Sequence, residues 1–367
     1  MTKIIVDVSL DLERRIRSKV QAGDYESLSH FVRISIENQL TVEESDGSVW
    51  PNIGNNQPKS SGTNFVRIQS GFTHEAEEQR TKQIYQRGSR HLLSYLTIPT
   101  GAQIEIINEP KTEILTGNLL WGQFYKFLPG KVALRVLSSM SNEELPILPK
   151  FKEKACDVAQ AFGAILSSKD KEFGRKSGEK LATSFPKPTP KSRRRYKNQY
   201  IVYVRSSDGR LDGLLPNLKF LNVINESGVY KVGITPAGLD FARLPNPLID
   251  DEGKLNPLSI DEIKFLTKHI IRTLPNEASH MKIMLHLIDE GVSSRNELNS
   301  KMADYYYKYQ NPDNLWSSAH INTMRAGLLS RMVELGFIDK SRVGLQVNYR
   351  LTKSGKQVLQ KEFRGVD

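Results

Sequence analysis

GLLSRMVELGFI, residues 327–338, occurs in the chain a second time, in altered form, as GLLPNLKFLNVI at residues 213–224. A second pair of similar stretches is found downstream, LTKSG at 351–355 and ITPAG at 234–238. The first pair is separated by 114 residues and the second by 117, and we assign the three-residue difference to the loop of a hairpin, where length varies easily. Each copy predicts the end of a helix, a turn, two strands, and a helix that begins at a threonine.

The carboxyl-terminal copy has further helices in front of it. Its own helix has apolar residues at the three- and four-residue spacing of a core face, namely Leu328, Leu329, Met332 and Leu335. The predicted elements are helices over Ser279–Glu290 and Ser294–Tyr307, a helix from Ser317 or Ser318 to Leu335, a strand that starts at Phe337–Ile338, and a strand over Val347–Leu351.

This order of elements resembles a winged-helix domain over about residues 276–363. The resemblance implies that the third helix enters the major groove of duplex DNA. The side chains expected near its exposed amino-terminal half are His320, Asn322, Thr323 and Arg325. Asparagine and arginine are the residues that bind adenine and guanine edges through two hydrogen bonds. Lys340 and Arg342 in the hairpin are expected on flanking phosphate or in the minor groove. A winged helix used for protein contact is the alternative.

The amino-terminal copy departs from this pattern. RSSDGRLDG at residues 205–213 contains two glycines, and Pro216 interrupts the helix after it. We therefore expect its reading helix to be short or absent, and we assign it no base contacts. The run Arg193, Arg194 and Arg195 just upstream is expected to contact phosphates instead.

Positive charge is concentrated around that arginine run. Lys169–Lys197 holds eleven lysines and arginines against three acids, a local excess of 11 − 3 = 8, while the whole chain has a net charge of +11. Clustering of this kind favours a phosphate backbone as partner, although a solvated charged loop is the alternative.

The first forty residues form a separate pattern. Lys3–Ser9, KIIVDVS, alternates between two faces in the manner of a strand, and two short amphipathic helices are predicted after it. One strand and two short helices bury too little surface alone, so the segment requires a partner chain.

Residues 3–42 resemble the ribbon-helix-helix repressors of the Arc/MetJ type, including the pattern S-x-S-x-F-V-R-x-S-I from Ser27 to Ile36. The resemblance implies a homodimer whose paired strands enter the major groove. The DNA contacts expected from it are Lys3, Ile5, Asp7, Ser27, Ser29 and Arg33. Asp7 either accepts a hydrogen bond from a cytosine amino group or repels phosphate, so a segment that only dimerises is also considered.

Composition excludes several classes of protein. At 367 residues with 38% hydrophobic and 25% charged residues, the chain is expected to be globular, with two or three domains. The sequence has no long apolar run for a membrane span, and its single cysteine, Cys156, cannot form an intramolecular disulfide. No phosphate-binding loop, nucleophile elbow or paired-histidine metal motif occurs, so we expect no enzyme activity, no metal and no cofactor.

The sequence thus predicts a mostly α protein with small β elements (α+β). We expect a ribbon-helix-helix at 1–42, a flexible linker at 43–71, a helical domain ending in a degenerate winged-helix-like module at 72–245, a connector at 246–275 and a winged-helix domain at 276–367. We expect a dimer that binds double-stranded DNA at specific sequences. Its expected role is that of a transcriptional regulator or a plasmid or chromosome maintenance factor, located in the cytoplasm and associated with the nucleoid. The alternative is an adaptor subunit of a defence or segregation complex.

Overall fold

The structure is a computed structural model. It describes residues 91–98, 101, 103–110, 119–141, 144–176, 178–251, 255–308, 317–343 and 346–363. The predicted ribbon-helix-helix at 1–42 and the linker at 43–71 lie outside the described residues. The chain divides into two compact units, one of Met1–Gln69 with Arg175–Lys180, the other of Ser70–Gly174 with Leu181–Asp367. The second unit is mostly helical with small antiparallel sheets, which confirms the α+β class.

The first half of this second unit, which we call the first module, spans residues 128–243. Its helices are α1 (Leu128–Met140), α2 (Leu148–Glu172), α3 (Pro190–Arg195, continued by a π-helical turn over Tyr196–Ile201), α4 (Leu214–Asn217) and α5 (Pro236–Arg243). Its strands are β1 (Tyr203–Val204), β2 (Leu211–Asp212), β3 (Leu221–Glu226) and β4 (Val229–Ile234), paired antiparallel as β1–β2 and β3–β4. The four-residue length of α4 confirms that the helix before this hairpin is short.

The second module spans residues 275–361. Its elements are α7 (Pro275–Asp289), α8 (Arg295–Lys308), α9 (Ser318–Glu334), β5 (Ile338–Val343), β6 (Gln346–Leu351) and α10 (Lys353–Lys361), with β5 and β6 antiparallel. Helix α9 begins and ends within one residue of its predicted bounds, and Ser317 caps it by accepting a hydrogen bond from the His320 amide. Helix α8 matches its prediction equally well.

The two modules make the same threonine hydrogen bonds beside their hairpins. Thr235 donates from its hydroxyl to the Lys219 carbonyl at 2.7 Å and accepts from the Gly238 amide at 3.1 Å. Thr352 makes the same two contacts with Gly336 and Gly355, at 2.6 and 2.9 Å. The threonine thereby closes the helix–hairpin turn on one side and starts the next helix on the other.

This match corrects the predicted alignment of the repeat. The equivalent residues of the two hairpins are 117 positions apart, since the pair Leu221 and Ile234 begins one hairpin ladder as the pair Ile338 and Leu351 begins the other. The expected 114-residue spacing of the two GLL stretches is wrong, and no length difference falls in the hairpin. The glycines of those stretches have different roles: Gly213 has a φ of 116°, whereas Gly327 packs against backbone.

The front halves of the modules correspond as well. Val232 donates to the Pro146 carbonyl at 3.0 Å, and Tyr349, 117 residues later, donates to the Ser293 carbonyl at 3.1 Å. These contacts add a short third strand edge to each hairpin, between the first and second helices of the module. The first module therefore contains front elements of the repeat that the sequence patterns did not reveal.

Helix α6 (Ile260–Thr273) lies in the range predicted as a connector. Glu262 forms a capping box with Ser259, and its carboxylate also pairs with the Lys131 ammonium of α1 at 2.6 Å, both side chains being fully buried. Burial lowers the pKa of Lys131 to about 8 even though Glu262 opposes the shift. The helix is thus packed onto the first module.

We predict that Gly238→Ala and Gly355→Ala each destabilise the fold. A Cβ at either position would lie 2.0 Å from a carbonyl oxygen, of Phe220 or Phe337 respectively, so the helix start would have to move. We expect a loss of about 1–3 kcal/mol in the free energy of unfolding, measured by urea titration. The exposed Ser354→Ala serves as control, and glycine variants as stable as this control would contradict the prediction.

Candidate nucleic-acid interface

Helix α9 holds four of the side chains predicted to reach DNA. Ser318 and Ala319 at its start are exposed, while His320, Asn322 and Thr323 are half-buried. The Thr323 hydroxyl donates to the Ala319 carbonyl at 2.9 Å, within the helix. Only the beginning of the helix is therefore open, and it presents short polar and apolar side chains.

Arg325 does not lie on the open face. Its side chain is 2% exposed, so the expectation that it is an exposed reading residue is wrong. It lies four residues after Ile321 and three before Leu328, which is the spacing of the buried face. Replacing Arg325 would therefore perturb packing and would not report on base reading alone.

A second segment, residues 119–127, packs on α9 beside this face. Gly122 donates its amide to the Met324 sulfur at 3.2 Å. A Cβ on Gly122 would lie 2.3 Å from the Thr323 carbonyl oxygen, and one on Gly327 would lie 2.2 Å from the Gly122 carbonyl oxygen. The two backbones touch, and only glycine permits that approach.

A buried ion pair fixes the same segment farther along the helix. Arg331, 1% exposed, donates to the Glu277 carboxylate of α7 at 2.6 and 2.9 Å. It also donates to the carbonyls of Trp121 and Phe124, at 3.3 and 2.8 Å. The second oxygen of Glu277 accepts from the Leu120 amide at 3.1 Å. The guanidinium thus joins α9, α7 and the 119–127 segment.

Glu334 completes this contact at the end of α9. Its Oε2 accepts a hydrogen bond from the Phe127 amide at 2.5 Å. Burial raises the pKa of this carboxyl above its ordinary value. Because Phe127 immediately precedes α1, the contact links the start of the first module to the third helix of the second.

Trp121 covers the side of the first turn of α9. Its ring packs edge-on against His320, with the ring centroids 5.0 Å apart. Burial lowers the pKa of His320 to about 4, so the imidazole is neutral at pH 7. The ring therefore carries no charge with which to attract phosphate.

The hairpin of the second module presents the cations expected there. Lys340 and Arg342 are exposed on β5. The adjacent acid, Asp339, pairs across the hairpin with Arg350 at 3.2 Å. The hairpin surface is therefore positively charged, because Asp339, the one acid in its described strands, is paired with Arg350.

The arginine run of α3 is divided between two environments. Arg193 points inward and pairs with Glu153 and Asp157 on α2, at 3.0 and 2.7 Å. Arg194 is exposed, and Arg195 is half-buried. Arg193 is committed to an intramolecular contact, which leaves Arg194 as the outermost cation of the three.

The remaining predicted contacts, in the segment 1–42, lie outside the described residues: Lys3, Ile5, Asp7, Ser27, Ser29 and Arg33. In the part of the chain that the structure describes, no group of three or more histidine, cysteine or acidic residues could hold a metal ion. None of the described helices combines the length and the apolar composition that a membrane span requires. Comparisons of the chain with protein-family models, curated proteins and solved structures found no match.

Sequence reasoning missed the 119–127 segment, Glu277 and Arg331. For Arg331 a signal existed, since it lies three residues after Leu328 and four before Leu335 and so shares the core face. A charged residue on a core face predicts a buried partner. For Gly122 no local signal existed, because its role depends on a helix about two hundred residues away.

We predict that Arg331→Leu destabilises the fold by about 3–5 kcal/mol, because it leaves the Glu277 carboxylate buried without its cation. The double variant Arg331→Leu/Glu277→Ala should lose less than the sum of the two single variants, since no charge is then left alone. Thermal and urea unfolding measure both effects. Arg350→Leu, which removes an exposed ion pair, is the control and should cost under about 1 kcal/mol. Equal losses for Arg331→Leu and Arg350→Leu would contradict the prediction.

Proposed function

We propose that the protein binds double-stranded DNA, with the second module acting as a winged helix. The observation that carries the proposal is the exposure of Lys340 and Arg342 on a hairpin that comes directly after the helix with the open amino-terminal turn. The order of helices and strands in this module also supports it. In such an arrangement the hairpin cations contact phosphates beside the groove that the helix enters.

The open turn of α9 adds two features suited to DNA. The amino-terminal end of a 17-residue helix carries partial positive charge, which favours a phosphate. Asn322 is the half-buried side chain of this stretch of a type that binds base edges. Its Oδ1 is buried, so it offers a base the amide donor and not the acceptor.

The proposal assigns most of the affinity to phosphate contacts and little to base contacts. Arg325, the strongest expected base reader, is buried, and the half-buried residues on the accessible side of α9 carry no cation. Sequence preference then rests on Asn322, on groove shape, and on whatever the amino-terminal ribbon contributes. The role as regulator or maintenance factor rests only on the resemblance of residues 3–42 to ribbon-helix-helix repressors.

A protein-contact role is the second candidate. The hairpin of the first module exposes Val229 and Tyr230 where the second module has Gln346 and Val347, and its Glu226 is paired with Lys231 at 2.7 Å. A hairpin with exposed apolar side chains and paired charges suits a protein partner better than DNA. An adaptor would use this surface while the second module binds DNA or a further protein.

We predict that Lys340→Gln/Arg342→Gln weakens binding to duplexes of any sequence and flattens its dependence on salt. Each lost phosphate contact reduces the slope of log K against log salt by about 0.9. Fluorescence anisotropy with the full chain over a salt series measures the slope. Lys268→Gln/Arg272→Gln on α6 removes the same charge elsewhere and is the control. Absence of any salt-dependent duplex binding by the unaltered chain would overturn the proposal and favour the adaptor.

We further predict that deletion of residues 1–42 converts a dimer into a monomer while the rest stays folded. The reason is that the segment needs a partner chain to bury its apolar face. Light scattering gives the mass, and circular dichroism checks that the helices persist. A truncated chain that keeps the dimeric mass would show that another surface holds the protomers together.

A further inference from the structure

The helix over 190–201, formed by α3 and its π-helical continuation, is the first module's counterpart of α9. We infer that it presents a second contact surface for the phosphates of duplex DNA, through Lys187 and Arg194. This inference rests on the proposed function of the second module. It assigns a DNA-contacting helix to the first module, in which the sequence predicted a reading helix that is short or absent.

The counterpart of α9 is interrupted, and its two pieces meet. By the 117-residue correspondence, α4 matches the last turn of α9. Gly213, directly before α4, lies against the end of the earlier helix, because a Cβ there would be 3.0 Å from the Asn198 carbonyl oxygen and 3.1 Å from that of Ile201. Residues 202–212, with the β1–β2 hairpin, therefore leave the helix and return to the same point.

The helix over 190–201 also packs as a third helix should. The Tyr196 hydroxyl donates to the Pro129 carbonyl of α1 at 2.8 Å, which ties it to the first helix of its module. Arg193 and Lys197 tie it to the second helix, α2, through Glu153. Helix α9 is tied to the first helix of its own module in the corresponding way, by Arg331 and Glu277.

At the matching position the first module has an apolar contact. Leu214 corresponds to Arg331, and a Cβ built on Gly130 of α1 would lie 3.0 Å from the Leu214 side chain. Gly130 and Glu277 are equivalent positions in α1 and α7. They are 147 residues apart, as are Ile147 and Ser294, which form the β-bridges to the hairpins of the first and second module. The two modules therefore bring their first and third helices together at the same place.

Charge on this helix is sorted by side. The inward cations, Arg193 and Lys197, are paired with the acids of α2, so those acids do not neutralise the outer face. Arg194 is exposed on the outer face. Lys187 is exposed just before the helix, in a stretch whose backbone is restrained by Pro186, Pro188 and Pro190. Exposed cations on a restrained backbone suit a regular array of phosphates.

Duplex DNA is the partner that this arrangement favours over an acidic protein, because a second module of the same architecture lies in the same compact unit and carries its own exposed cations on β5. Two cationic surfaces on one compact unit are suited to bind one extended polyanion, such as a long duplex. A chain with two linked contact sets binds a long duplex more tightly than either set alone.

The test uses three full-length double variants that each remove two positive charges. They are Lys187→Gln/Arg194→Gln for this surface, Lys340→Gln/Arg342→Gln for the hairpin of the second module, and Lys268→Gln/Arg272→Gln as control. Anisotropy over a salt series with a duplex of about 40 base pairs should show the slope for Lys187→Gln/Arg194→Gln reduced by up to about 1.8, at about 0.9 per contact. The control slope should be unchanged, and thermal unfolding should be unchanged for all three because the altered side chains are exposed.

The outcomes separate this inference from the proposed function. An unchanged slope for Lys187→Gln/Arg194→Gln, together with a reduced slope for Lys340→Gln/Arg342→Gln, overturns the second surface and leaves the winged helix in place. Unchanged slopes for both overturn both. The inference is also overturned if Lys187→Gln/Arg194→Gln reduces the salt slope only as much as the α6 control does. It is likewise overturned if the slope falls with RNA and not with duplex DNA.

Discussion

The Arg331 guanidinium is almost completely buried, and a buried cation must have an anion and filled hydrogen bonds to be tolerated. Glu277 supplies the anion, and the carbonyls of Trp121 and Phe124 fill the remaining donors. Because these partners belong to α7 and to the segment that leads into α1, the charge can be satisfied only when residues 119–127 pack on the second module. The fold of the second module therefore depends on residues far outside it in sequence.

The two modules solve the same packing problem with different chemistry. Where the second has Arg331 and Glu277, the first has Leu214 and Gly130, an apolar contact that needs no third segment. The apolar contact accompanies an interrupted third helix, and the charged contact accompanies an unbroken helix of 17 residues.

Local signals in the sequence predicted local structure well. Ser317, the apolar spacing of α9, and Thr352 located the third helix and the start of α10, because caps and periodicity act within a few residues. The exposure of Arg325 was mispredicted although its position, four residues after Ile321 and three before Leu328, already lies on the apolar face of α9. The 114-residue alignment failed because GLL recurs at two places for unrelated reasons, a left-handed turn at Gly213 and backbone contact at Gly327. The basic cluster was found, but only the structure separates inward Arg193 from outward Arg194.

The β1–β2 hairpin leaves the third helix of the first module and returns to it at Gly213, so its two ends are fixed by the core while its tip, Ser206–Asp208, is exposed. A loop of this kind can change in length at small cost in free energy, because closing a somewhat longer loop between fixed ends adds little entropy. The hairpin tip is consequently a place in the chain where an affinity tag, a fluorophore or a whole folded domain can be inserted without disturbing the packed helices.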